Sequence, residues 1–149
     1  MNQRIKILGV EIDSLTLEEF DRDINGVRWD MREDDVRKGR IGSFLGMRGV
    51  EKCNHMQRIA VEESRLGIPL FFGLDVIHGM RTVFPIPLAE SCSWDENLFE
   101  KSASIAAKEA AATGINLTFA PMIDIGRDAR WGRVAEGAGE DTYLTSRYA

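Results

Sequence analysis

Hydrophobic and polar positions alternate without clear period over residues 1–40 and sharpen into recognisable units from Ile41 onward. Ile41-Gly-Ser-Phe-Leu45 predicts a short strand, and Val50, Cys53, Met56, Ala60 and Val61 then recur at helical spacing, predicting a helix over 50–65. Gly67 and Pro69 end it, since glycine closes a helix readily and proline cannot continue one. Ile68-Pro-Leu-Phe-Phe-Gly-Leu74 shows no polar alternation and reads as a strand over 68–74, buried on both faces. After a loop with Pro85 and Pro87, Ser93-Trp-Asp-Glu96 has the spacing of a capping box. Leu98, Ser102, Ile105, Ala106 and Ala110 mark one side of the helix that follows, over 95–113, which stops before Gly114. Ile115-Asn-Leu-Thr-Phe-Ala120 predicts a third strand, broken by Pro121, and Tyr143 to Ala149 opens a further helix. Near the start, Thr16 and Glu19 are again spaced as a capping box.

Strand, helix, strand, helix, strand is the order of an α/β fold with parallel strands, joined by right-handed crossovers. The division this suggests is a polar, partly helical segment over 1–40 and an α/β unit over 41–149. Three strands are fewer than a (β/α)₈ barrel needs, so the pattern fits either a small open α/β domain or a piece of something larger.

Charge and composition narrow the classes. With 19 basic and 24 acidic residues the net charge is −5, which argues against nucleic acid or an anionic membrane as partner. No apolar stretch approaches the roughly 18 residues of a membrane span. The first ten residues lack the apolar core and cleavage site of a signal peptide, so a cytoplasmic location is expected, with periplasmic or secreted left open. Cys53 and Cys92 lie too far from further ligands to suggest a metal site, and they read as buried or incidental thiols. No cofactor motif is present: Glu136-Gly-Ala-Gly-Glu140 lacks the Lys-Ser/Thr ending and the preceding strand of a phosphate loop.

Two clusters carry the chemistry, each after a predicted strand. Asp75, His78 and Arg81 follow the second; Asp124, Arg127, Asp128, Arg130, Arg133, Glu136, Glu140 and Asp141 follow the third. Charged groups at the end of a buried strand are expensive unless they bind something or each other. In parallel α/β folds ligands gather beyond the carboxyl ends of the strands. A carboxylate takes two adjacent sugar hydroxyls and a guanidinium offers a fixed fork of donors, tasks that suit Asp75, Arg81 and Arg133. The alternative for the second cluster is a set of ion pairs stitching a loop together. Trp94 and Trp131 read as core residues before stacking platforms, and His78 as a residue that orients a loop.

Gly73-Leu-Asp-Val-Ile-His-Gly79 with Arg81, Thr82 to Glu90, Ser93-Trp-Asp95, Ala120-Pro-Met-Ile-Asp124 and Arg127-Asp-Ala-Arg-Trp-Gly-Arg133 with Glu136-Gly and Glu140-Asp resemble the family 3 glycoside hydrolases, and among them the bacterial β-glucosidases. The likeness runs from about Ile41 to the last residue; Leu15-Thr-Leu-Glu-Glu19 also resembles the family's opening, and Phe20 onward departs from it. The resemblance implies the N-terminal strands and helices of a (β/α)₈ barrel, with Asp75, Arg81 and Arg133 in the subsite for the terminal sugar. Family members acting on N-acetylglucosamine have a Glu-Gly-Gly stretch in place of Asp75 to Gly79. Members acting on xylosides commonly carry glutamate at the position of Asp75, so both differences favour a glucoside. The family's Lys-His pair, aspartate nucleophile and glutamate acid/base match no segment of this sequence, so no catalytic carboxylate is assigned. The implied function is retaining β-glucoside hydrolysis by a complete protein. The other class is a non-catalytic carbohydrate-binding or assembly module, and in either case unpaired barrel edges lead to self-association.

Overall fold

The computed structural model describes residues 5–7, 10–12 and 32–149. The capping-box spacing at Thr16 and Glu19 lies outside the described residues. At the start, β1 (Ile5–Ile7) and β2 (Val10–Ile12) pair antiparallel, where the sequence pattern suggests no strand. Helix α1 (Glu33–Arg37) follows, and its Val36 is 1% exposed. The charge density around it hides this core residue from any periodicity argument.

The central layer is a sheet of three parallel strands in sequential order: β3 (Ser43–Leu45), β4 (Phe71–Leu74) and β5 (Leu117–Thr118). Ser43 pairs with Phe71 and Gly73 with Leu117, which bears out the parallel arrangement. Each strand is shorter than its apolar run, and at the start of β4 side chains take over the hydrogen bonding. Asn116 Oδ1 accepts from Phe72 N at 2.7 Å and its Nδ2 donates to Leu70 O at 3.1 Å, while Gln57 Oε1 accepts from Leu70 N at 2.8 Å.

Helix α2 (Val50–Arg58) runs on into a wide π-turn, Ile59–Glu63, and Gly67 then adopts φ +62°. A five-residue helix, α3 (Pro87–Ser91), starts with proline at its first turn, where the missing N–H is no loss. The sequence pattern takes that stretch for loop. Helix α4 (Glu96–Ala111) is capped not by Ser93 but by Asp95, whose carboxylate accepts from Asn97 N at 3.0 Å. The capping-box reading is therefore displaced by two residues. Helix α5 (Thr142–Tyr148) is capped by Asp141, which accepts from Leu144 N at 2.6 Å.

One face of the sheet packs against the helices. Phe44 and Phe72 join Met47, Cys53, Met56, Ile59, Ala60, Val76, Ala106, Ala110 and Ile115 in the core, with Leu74 packed against it. Each large member contributes about 1.5–3 kcal/mol of burial. The faces read from sequence hold at Cys53, Met56, Ala60, Ala106 and Ala110, all buried, but not at Val50, Val61, Leu98 and Ile105, which are all at least 40% exposed, while Ile59 and Phe99 are buried beside them. Alanine-rich and mixed stretches give apolar residues on several sides, and packing chooses among them.

The second strand is not buried on both faces. Side chains alternate across a strand, and on the far side Leu45, Phe71 and Phe119 are each more than half exposed. Among the described residues, helices cover only the face that carries Phe44 and Phe72. Among the core expectations, Trp94 also fails: it is 68% exposed at φ +55°, in the turn before α4, and Trp131 is half-buried. Cys53 is buried and Cys92 exposed, both as free thiols.

Candidate functional site

The alternation of β4 continues past its last residue. Leu74 packs against the core, Asp75 is exposed, and Val76 is 7% exposed within the core. Two core anchors thus hold Asp75 on the side of the sheet away from the helices. Among the described residues its carboxylate has no hydrogen-bond or ion-pair partner.

From Ile77 the chain closes on itself. Phe84 N donates to His78 O at 2.8 Å, and His78 Nδ1 donates to Phe84 O at 3.0 Å. His78 therefore spends one ring nitrogen on fixing the loop. Gly79 sits at φ +118°, where a Cβ would collide with Thr82 O, so only glycine fits. Arg81 emerges from this loop with its guanidinium exposed and without a hydrogen bond or ion pair among the described residues. Its backbone N–H instead donates to Glu109 of α4, at 2.8 Å.

The second cluster lies after β5 and the cis Ala120–Pro121 peptide. A bridge between Met122 and Gly137 and a bond from Gly126 N to Gly139 O at 2.9 Å fold residues 122–139 back on themselves. Within that fold the charges divide. Arg130 pairs with Asp128 at 2.7 Å, and Arg133 with Glu136 through Nη2 at 2.8 Å, as the loop-stitching alternative expects. Asp124, Arg127 and Glu140 form no such pair among the described residues.

Arg133 links the clusters. Its guanidinium pKa is raised above the ordinary value, first by the hydrogen bonds to Glu136 and then by the fields of Asp124 and Asp75. Glu136 is correspondingly lowered by Arg133. Asp75, from the β4 loop, and Asp124, from the β5 loop, thus both act on Arg133 through their fields. Arg81 is placed on the β4 loop as well, with no contact to either. Glu109 is the residue that sequence reasoning passes over, although an acid in the last turns of a helix, against the macrodipole, is a usable signal.

An apolar groove of about 400 Å³ lies elsewhere, on the helix side, between Ala103, Ala107 and Ala111 of α4, Leu117 and Tyr148. Asp75, Arg81 and Arg133 are not among its lining residues, whereas His78 of the first cluster is. Among the described residues no group of three His, Cys, Asp or Glu is arranged to hold a metal ion. Nor is any helix among them long and apolar enough to cross a membrane.

Comparison with known proteins fits this geometry. Residues 24–149 match the glycosyl hydrolase family 3 N terminal domain. The periplasmic beta-glucosidase of Salmonella typhimurium is 46% identical over 111 residues, covering 74% of this chain and 14% of that protein. A beta-xylosidase of Formosa agariphila is 38% identical over 107 residues, covering 65% of this chain and 15% of that protein. Among solved structures, the beta-glucosidase from Listeria innocua in complex with glucose superposes with a TM-score of 0.66 at 48% identity, over 72% of this chain and 15% of the other. The chain therefore spans about one seventh of the length of these relatives. Its parallel strands with helices on one face, and loops at their carboxyl ends, are the opening part of a (β/α) barrel, and the chain belongs to glycosyl hydrolase family 3.

Proposed function

We propose that this chain supplies part of the sugar-binding subsite of a β-glucosidase that releases terminal β-D-glucosyl residues with retention of configuration. The observation that carries this reading is the unpaired Asp75 carboxylate beyond the end of β4, with Arg133 held in its field by Glu136 from the neighbouring loop. Asp75 accepts hydrogen bonds from two adjacent hydroxyls of one pyranose, and the free faces of Arg133 and Arg81 donate to its other oxygens. Such bonds, to charged groups, are worth about 1.5–3 kcal/mol each. Retaining hydrolysis needs a nucleophile and an acid/base about 5–5.5 Å apart across the anomeric carbon. Asp75 is assigned to hydroxyl binding, and no carboxylate among these 149 residues is assigned a catalytic role. The exposed Leu45, Phe71 and Phe119 support self-association of the chain when it stands alone.

The test is to assay the whole polypeptide that carries this segment against chromogenic β-glucoside and β-xyloside. A higher kcat/KM for the glucoside is expected. Preference for the xyloside overturns the substrate, and sugar binding without turnover favours a non-catalytic carbohydrate-binding module.

A further inference from the structure

Glu109 stands in the last turns of α4, where the helix macrodipole disfavours an acid. Its carboxylate is nevertheless fully engaged, and with groups far away in sequence. Oε2 accepts from two successive backbone amides, Arg81 N at 2.8 Å and Thr82 N at 2.7 Å. Oε1 accepts from the Thr82 hydroxyl at 2.6 Å. Two consecutive N–H groups converging on one oxygen form a small anion-holding concavity, and here the anion is a side chain of the protein itself. These donors depress the Glu109 pKa, which keeps the carboxylate ionised and the bonds charge-assisted.

The loop so held is the one that carries Arg81. Its own closure, from His78 to Phe84, fixes its shape but not its place relative to the sheet. Val76 anchors its root to the core, and the half-buried Met80, next to Arg81, packs against the core as well. Glu109 adds the hydrogen bonds that hold the backbone of Arg81 and Thr82 to the helix layer.

We infer that Glu109 is a positioning residue for the sugar subsite, clamping the backbone of Arg81 and Thr82 so that the loop carrying the Arg81 guanidinium is held in one place. The inference rests on the sugar-binding reading of Asp75 and Arg81. Glu109 touches no substrate; it acts through the loop. A small displacement of a binding group in such a site lowers affinity by about tenfold or more.

The experiment uses the whole polypeptide that carries this segment, labelled with nitrogen-15 at arginine, threonine and phenylalanine, as wild type and as Glu109→Gln, Thr82→Ala and Thr82→Ser. Amide hydrogen exchange at Arg81 and Thr82 reads the clamp, and titration with methyl β-D-glucopyranoside, followed at Arg81 Nε–H, reads the subsite. Glu109→Gln is expected to speed exchange of those two amides about tenfold, leave the Phe72 amide unchanged, and weaken glucoside binding about tenfold. Thr82→Ala loses one of the three bonds and falls between, while Thr82→Ser, which keeps the hydroxyl, behaves as wild type. Unchanged exchange at Arg81 and Thr82 in Glu109→Gln overturns the clamp. Faster exchange with unaltered glucoside affinity overturns the positioning role. If the wild-type chain itself shows no response to glucoside at Arg81, the sugar-binding reading fails and the role resting on it falls with it. The exchange rates then show separately whether the clamp exists.

Discussion

Gly114 lies directly against Cys53: a Cβ built at position 114 would stand 2.8 Å from both Cβ and Sγ of that cysteine. The glycine closes α4 at φ +93° and lets the start of β5 pass under α2, where Gly49 N also donates to Thr113 O at 2.8 Å. Gly114→Ala therefore combines a positive φ with overpacking against a buried neighbour. The expected loss is about 1–3 kcal/mol, read as a lower midpoint in urea unfolding. Adding Cys53→Ala removes Sγ but leaves Cβ, so it should restore part of the loss; a Gly114→Ala chain as stable as the wild type contradicts this contact.

Asp75 has the opposite profile. Because its carboxylate has no partner among the described residues, Asp75→Asn should leave the unfolding midpoint within about 0.5 kcal/mol of the wild type. Binding of methyl β-D-glucopyranoside should weaken about 10- to 100-fold, the equivalent of one charge-assisted bond. Titration calorimetry or chemical-shift titration measures it, and unaltered affinity removes Asp75 from the subsite.

Acid should unfold the chain through its paired carboxylates. Glu33 is lowered from 4.5 by its hydrogen bonds to His55 and Arg37, Glu109 by those from Thr82, and Glu136 by Arg133. A depressed folded-state pKa contributes stability that is present above the unfolded value and lost as pH falls through the folded one. The thermal midpoint should thus hold steady down to about pH 5 and drop below 4.5. Glu33→Gln should make that drop shallower, and an identical acid profile in the variant argues against the Glu33 contribution.

At alkaline pH the sign reverses with the group. Burial, with a smaller effect from Glu90, pushes Tyr148 from 10.0 up to about 12, in a T-shaped contact with Phe99 at 5.0 Å. The folded state holds that proton longer than the unfolded one. Its contribution is intact below 10 and is lost as pH rises toward about 12, loosening α5 from α4. Tyrosinate absorbance should show this late step in the wild type and lose it in Tyr148→Phe.

The isolated 149-residue chain should not turn over a chromogenic β-glucoside, since neither catalytic carboxylate is assigned within it. Size-exclusion chromatography should show association, and Phe71→Ser together with Phe119→Ser should shift it toward monomer. A monomer turning over at about 1–10³ per second would mean that a carboxylate such as Asp124 is the nucleophile.

The parts of the fold that sequence made visible are those set by contiguous apolar runs. Phe44, Phe72 and the Asn116 to Phe119 stretch gave three parallel strands in the right order, and Gly67 and Gly114 marked helix ends that do adopt positive φ. What escaped depends on packing partners that sequence does not display. Val36 is buried amid charges, Phe71 is exposed on a face without cover, and Trp94 is turned outward by its own backbone. The site was legible as two charge clusters after two strands. Which charges pair was not: Arg130 with Asp128 and Arg133 with Glu136 follow from the folding-back of the 122–139 loop, and Glu109 reaches its partners across 27 and 28 residues.

The strict inward-outward succession of Leu74, Asp75 and Val76 has a consequence for how such a chain tolerates change in length. Substitutions within β4 alter one side chain at a time, but loss or gain of a single residue between Phe71 and Leu74 would invert the succession from that point on. The carboxylate of Asp75 would then turn toward Ala106 and Ala110, a dry layer with nothing to ionise against, and Val76 would turn out to water. The spacing between Phe71, the strand's first paired residue, and the acid at position 75 is accordingly fixed at its present count.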